Sequence, residues 1–176
     1  MRIIAGKLKG HVFDSPGRRQ THPMSDKIRG ALFNMLGDLT GLIVLDAFAG
    51  SGAISFEAIS RSAVAVIAID VDRYAQQTII TNARLLGIQN FVTLVRTDAA
   101  AWLTKNNDSF DVVVLDPPYD KPQVLLLAEL AHRTKPGGVV VVSLPPKIEM
   151  QLGSDFQLLR TKTYGDAQLQ LYRCLA

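Results

Sequence analysis

The sequence predicts an α/β fold: a mostly parallel, seven-stranded sheet with helices on both faces, closed by a C-terminal antiparallel hairpin. Three observations predict it. Five short runs of near-continuous Val, Ile and Leu recur between Leu42 and Leu144, the composition of strands buried on both faces. A stretch of helical length separates each run from the next. The last twenty residues break this alternation and read as two strands around Gly165.

The elements follow in order. "RIIAGKLKGHVF" is β-branched and basic, punctuated by Gly6 and Gly10, and reads as extended; "DSPGRRQTHP" after it is turn-rich. Ser25 or Asp26 can cap a helix through "DKIRGALFNML", which places Ile28, Leu32, Met35 and Leu36 on one face. Then come a strand at "LIVLDAF", a helix opening on the glycines of "AGSGAISFEAISRS", a second strand at "AVAVIAID" and a second helix ended by Gly87. "FVTLVRTD" is the third strand and precedes a short helix from Ala99 to Lys105. "FDVVVLD" is the fourth, with "PQVLLLAELAHRTK" as its helix. "PGGVVVVSL" is the fifth, its Pro-Gly-Gly read as a helix stop and turn. Residues 1–24 form a basic N-terminal extension, and residues 25–176 the main domain.

Composition narrows the function. With 176 residues, 48% apolar, the chain supports one well-cored domain. No apolar run approaches the roughly 20 residues needed to cross a bilayer, and no signal-peptide core follows the N-terminus. A cytoplasmic protein is expected, and the single Cys174 fits a reducing compartment. Three scattered histidines and that thiol make no metal site. The net charge of +3 is unevenly placed. Residues 1–34 hold Arg2, Lys7, Lys9, Arg18, Arg19, Lys27 and Arg29 against Asp14 and Asp26, while the remainder is slightly acidic. A basic extension on an acidic body suggests a polyanionic partner, although a solvated segment has the same composition.

In an open α/β sheet the ligand sits outside the carboxyl ends of the strands. Four consecutive strands here end in an acid: Asp46, Asp70, Asp98 and Asp116. Gly50 and Gly52, after Asp46, let backbone approach a ligand and expose helix N-terminal NH groups. Asp70 suits two ribose hydroxyls, and Asp98 a base amine or nearby backbone donors. Singly, each is as well explained as a helix cap or a structural turn; in register they describe a nucleoside-binding cleft. The dinucleotide fingerprint fails, because Ser55 stands where its third glycine belongs. An acid at position 46 repels a diphosphate and attracts an ammonium. That favours S-adenosylmethionine, a sulfonium with an ammonium and no phosphate, over a nicotinamide dinucleotide.

"LDAFAGSG", Asp70, Asp98, "DPPY" and the terminal hairpin resemble a Rossmann-like S-adenosylmethionine methyltransferase acting on an exocyclic amine. With "RIIAGKLKG" and "THPMSDKIRGALFNML" in front, the chain resembles the bacterial 16S ribosomal RNA (guanine-N2)-methyltransferase family over nearly its whole length. The resemblance implies cofactor contacts at Asp46, Phe48, Gly50, Gly52, Asp70, Asp98 and Ala99, and catalysis at Asp116, Pro117, Pro118 and Tyr119. It implies 16S ribosomal RNA or an assembling small ribosomal subunit as partner, with a monomer as the default. Against the family pattern, His22-Pro23-Met24 replaces Arg-Pro-Thr, Gly30 follows Arg29 in place of Glu, Asp70 replaces Glu, and "SLPPK" follows strand five.

Guanine N2 is a poor nucleophile because its lone pair is delocalised into the ring. Asp116 can accept one N–H and the Pro117 carbonyl the other, with the prolines stiffening the turn and Tyr119 offering a stacking face. Read alone, the same tetrapeptide is a helix-start turn. Arg2, Lys7, Lys9, Arg18 and Arg19 are candidate phosphate contacts. Trp102 and Cys174 read as core. Rival readings are a DNA adenine-N6 methyltransferase, a protein glutamine methyltransferase, a nicotinamide-dependent oxidoreductase, and a nucleic-acid-binding module with an inactive cleft.

Overall fold

The structure is a computed structural model that describes residues 1–16 and 24–176. Arg18, Arg19, His22 and Pro23 lie outside the described residues. The elements run α1 (Asp26–Leu36), β1 (Ile43–Asp46), α2 (Ala53–Ser60), β2 (Ala65–Ile69), α3 (Arg73–Leu85), β3 (Val92–Val95), α4 (Ala99–Lys105), β4 (Phe110–Leu115), α5 (Val124–Ala131), β5 (Thr134–Leu144), β6 (Phe156–Tyr164) and β7 (Ala167–Cys174). They build one seven-stranded sheet in the order β3-β2-β1-β4-β5-β7-β6. Strands β1 to β5 pair in parallel, and β7 is antiparallel to both β5 and β6. The predicted architecture is the observed one.

Helices α1, α3 and α4 start where a side chain satisfies their first NH groups. Ser25 accepts from Ile28 N, Asp72 from Tyr74 and Ala75 N, and Asp98 from Ala101 N. The sheet separates two apolar layers. One joins Leu32 and Phe33 of α1 to Phe56 of α2, Ile79 of α3 and one face of the strands; the other joins Trp102, Leu127, Leu130 and Tyr172 to the opposite face. Trp102 packs against Phe110 with ring centroids 6.1 Å apart, and Cys174 is buried in the same layer.

Three features depart from expectation. The opening segment is folded back, with an isolated bridge between Arg2 and Val12 and turns from residue 5 to residue 10. Ile3 and Phe13 enter the core, Phe13 meeting Phe56 edge-on at 5.2 Å. The segment is pinned to α2: Glu57 accepts from Ile4 N and Ala5 N, and Ser60 Oγ accepts from Leu8 N and donates to Ala5 O. At Gly6 (φ +83°) a Cβ would lie 1.9 Å from the Ser60 carbonyl oxygen, so only glycine allows that approach.

The second departure is in α1, whose inward face carries Arg29 beside Leu32, Phe33 and Met35, with Ile28 and Leu36 at its margins. Arg29 is fully buried. It donates to the Arg2 carbonyl at 2.6 Å and to Asp26 at 3.0 Å, and stands 3.9 Å from the buried Glu57. Arg61 closes the cluster at 2.8 Å from Glu57. These buried charges are tolerated because they are paired. Third, Pro136-Gly137-Gly138 does not end a helix. It lies inside β5, where the register slips from Phe110–Thr134 to Val112–Val139. The turn-forming residues are absorbed as a bulge, and Gly138 has no room for a Cβ, 2.7 Å from the Asp111 carbonyl.

Candidate active site

Strand register brings the acids together. Asp46, the last residue of β1, aligns with Ala68 of β2 and Val114 of β4, so Asp70 and Asp116 follow two residues further along on either side. This is the switch point of the sheet, where β1 lies between β2 and β4. The loop after Asp46 is stitched to both neighbours, with Ala47 N donating to the Val114 carbonyl and Ala49 N to the Ile69 carbonyl. Gly50 (φ +54°) donates its NH to Asp70 Oδ2 at 2.6 Å. Gly52 (φ +80°) caps α2 against the ring of Phe56, where a Cβ would meet ring carbon at 2.5 Å. Phe48 is half-buried and packs on the second apolar layer.

Asp46 is buried. Ser55 donates to its Oδ2 at 2.6 Å, which accounts for a serine where a dinucleotide site has glycine; Oδ1 has no hydrogen-bond partner among the described residues. Burial pushes the Asp46 carboxyl up to about 7; the Ser55 bond opposes this, and the charges of Asp116 and Asp70 add to it. Asp116 is raised to about 6 by burial, with the Ser143 hydroxyl opposing. Asp70 is raised by burial against the NH groups of Asp72 and Gly50 that it accepts. No ion pair among the described residues reaches Asp46, Asp70 or Asp116. Among the described residues, these acids meet at one end of the sheet without a paired cation.

Past β4 the chain turns through Pro117, which is buried, and Pro118, which is exposed. Nothing among the described residues donates to the Pro117 carbonyl. Tyr119 is half-buried, and its hydroxyl lies 2.6 Å from Ser143 Oγ. Burial lifts the phenol to about 12, so it stays protonated. Near the end of β5, Ser143 thus partners Tyr119 and opposes the rise of Asp116. Sequence reasoning missed it; the available signal was one serine closing a strand of buried valines.

The other expected residues lie further out. Asp98 is exposed and caps α4 by accepting from Ala101 N, with Ala99 buried behind it. Lys7 and Lys9 are exposed on the turn held at Ser60, the last residue of α2. Because α2 runs back from Gly52 toward the amino ends of the strands, these two lysines sit at the end of the sheet opposite the acids. Arg2 is exposed, its carbonyl tied to Arg29.

Residues 1–173 match the family model described as "Conserved hypothetical protein 95". The chain is 32% identical to ribosomal RNA small subunit methyltransferase D of Escherichia coli, over 98% of this chain and 89% of the relative. It is 31% identical to YlbH of Bacillus subtilis, provisionally named an rRNA methyltransferase, over 98% of each. A solved Escherichia coli structure, provisionally named the methyltransferase yhhF, superposes with a TM-score of 0.90 at 26% identity, over 100% of this chain and 98% of that one.

Proposed function

Because the chain belongs to the "Conserved hypothetical protein 95" family, alongside ribosomal RNA small subunit methyltransferase D, we propose that it methylates the exocyclic N2 amine of a guanine in 16S ribosomal RNA. The methyl donor in this reading is S-adenosylmethionine. The observation that carries it is the convergence of Asp46, Asp70 and Asp116 at one end of the sheet with no ion-pair partner among the described residues. A cationic nucleoside fits such a site. Asp46, with a buried oxygen left over, would hold its ammonium, Asp70 its ribose, and Asp98 with Ala99 its base. Bound there, it supplies an electrophilic methyl on a sulfonium.

The protein's own part is to hold the amine and manage its proton. Asp116 accepts one N–H of the amine and the Pro117 carbonyl the other, which draws the nitrogen toward tetrahedral geometry. The two prolines keep both acceptors aimed, and the ring of Tyr119 supports the base. As the nitrogen becomes positive, Asp116 stabilises it and takes the departing proton. A carboxylate raised to about 6 is a better acceptor for that proton than an ordinary one, yet is still largely ionised at neutral pH. The Ser143 hydroxyl keeps that balance from tipping toward the neutral acid. A paired or stacked guanine must be splayed out to reach these groups. In this reading residues 1–24 are the extension, residues 25–176 the catalytic domain, and the protein a cytoplasmic monomer acting on free RNA or an assembling subunit.

The test is methyl transfer from labelled S-adenosylmethionine to 16S ribosomal RNA, small subunits and duplex DNA, followed by nucleoside analysis. The expected product is N2-methylguanosine. Asp116→Asn should lower turnover by about 100-fold or more while S-adenosylhomocysteine still binds. N6-methyladenosine, or an active Asp116→Asn variant, overturns the assignment.

A further inference from the structure

Away from the acid pocket, a groove of about 350 Å³ runs between α1 and the edge strand β6. Lys27 and Asn34 of α1 line one wall, and Arg160, Lys162 and Tyr164 of β6 the other. Arg160, Lys162 and Tyr164 alternate along β6 and so share one face of the strand. Lys27, Arg160 and Lys162 are exposed and make no ion pair among the described residues. Asp26, the acid in the groove, is already paired with Arg29 at 3.0 Å. Three cations therefore face a groove whose acid is spoken for.

The groove points at the cleft. Leu144, the last residue of β5, pairs with Gln168, and Tyr164 pairs with Ala167, so the β6–β7 turn stands beyond the carboxyl end of β5. Asp166 in that turn acts electrostatically on Tyr119. Tyr164 marks the mouth of the groove beside the catalytic turn, and Arg160 lies deeper along it. Lys7 and Lys9, the basic residues of the N-terminal turn, hang at the opposite end of the sheet.

We propose that this groove carries the sugar-phosphate backbone of the single-stranded RNA flanking the target nucleotide. The proposal rests on the reading of the chain as a ribosomal RNA methyltransferase. Two residues along a strand span about 7 Å, so Arg160 and Lys162 are spaced like successive phosphates of an extended strand. Tyr164, half-buried at the mouth, offers a ring for the base next to the target. Charges on β6 also keep an edge strand from pairing with another chain. Edge protection does not account for Lys27, which reaches the same groove from the facing helix.

The experiment compares wild type with Arg160→Gln/Lys162→Gln and with a control of equal charge, Arg84→Gln/Lys105→Gln. The control pair is exposed in the last turns of α3 and α4, at the far end of the sheet. Binding to 16S ribosomal RNA is measured by filter retention across a salt series. The groove variant should lower the slope of log affinity against log salt by about 1.4, at about 0.7 per lost single-strand phosphate contact. KM for RNA should rise about tenfold with kcat at saturating RNA kept, and S-adenosylhomocysteine affinity should be unchanged. An unchanged slope, or equal losses in the control, overturns the groove assignment. The slope judges the groove whether or not label is transferred, and the labelled product judges the activity, so the two can fail separately.

Discussion

Replacing Asp46 by Asn should stabilise the free protein at alkaline pH while abolishing its affinity for the methyl donor. Asp46 rises from 3.8 to about 7 on folding. Below pH 3.8 both folded and unfolded chains carry the proton, and nothing is lost. Between 3.8 and about 7 the folded state keeps a proton that the unfolded state has released, so stability falls as pH rises, and above about 7 the loss is complete. At 1.36 kcal/mol per pH unit, the full loss is about 4 kcal/mol. Asn removes that loss, but its amide lacks an acceptor where Oδ1 is unpartnered, at a fixed cost of about 1–3 kcal/mol. The fixed cost cancels when two pH values are compared. The stability of Asp46→Asn relative to wild type should therefore improve by about 3 kcal/mol between pH 5 and pH 8. In a domain of this size that is about 6–12 °C in Tm. Urea unfolding of both proteins at the two pH values measures it, and calorimetry with S-adenosylhomocysteine measures the affinity. A pH-independent difference in stability, or unimpaired binding, would refute the reasoning.

Two further outcomes follow from local geometry. Ser143→Ala removes the partner of the Tyr119 hydroxyl and the group that opposes the rise of the Asp116 carboxyl. The acid limb of kcat/KM should move to higher pH, with activity about tenfold down at pH 6.5 and largely recovered at pH 8.5; a uniform loss at every pH would contradict this. Gly6→Ala places a methyl against the Ser60 carbonyl at a positive φ and should lift the N-terminal turn from α2. A loss of about 2–4 kcal/mol in urea unfolding is expected, with methyl transfer per folded molecule retained.

The parallel strands were legible because each is buried on both faces, and burial leaves its mark as continuous Val and Ile. The acids were legible because a polar residue at the end of such a strand has no packing reason to be there. What escaped the sequence depends on partners distant along the chain. Arg29 lies on a helix face that periodicity assigns to the core, and its burial is tolerable because of the Arg2 carbonyl, 27 positions back, and Glu57, 28 positions on, as well as Asp26 on its own helix. The N-terminal turn took its shape from Glu57 and Ser60, not from its own β-branched residues. Pro136-Gly137-Gly138 carried a turn signal that the β4–β5 pairing overrode by slipping register. Ser143 became meaningful once β5 lay beside β4 and brought it to Tyr119.

The two buried charge clusters show why one is read as structure and the other as a site. Arg29 and Glu57 are buried as deeply as Asp46, yet Glu57 has an arginine at 2.8 Å, another at 3.9 Å and two backbone NH groups. That cluster sets arginines against its acid, and its effect is to tie α1, α2 and the N-terminal turn together. At the strand ends the balance is reversed: three acids lie together, burial raises each, and no ion pair among the described residues offsets them. Such an arrangement weakens the free fold, so packing alone gives no account of it. A bound cation lowers the cost of ionising Asp46 beside an Asp116 that is already largely charged, so donor binding should draw the Asp46 carboxyl back down. In the proposed reading, donor binding and the ionisation of Asp46 are thereby one electrostatic event.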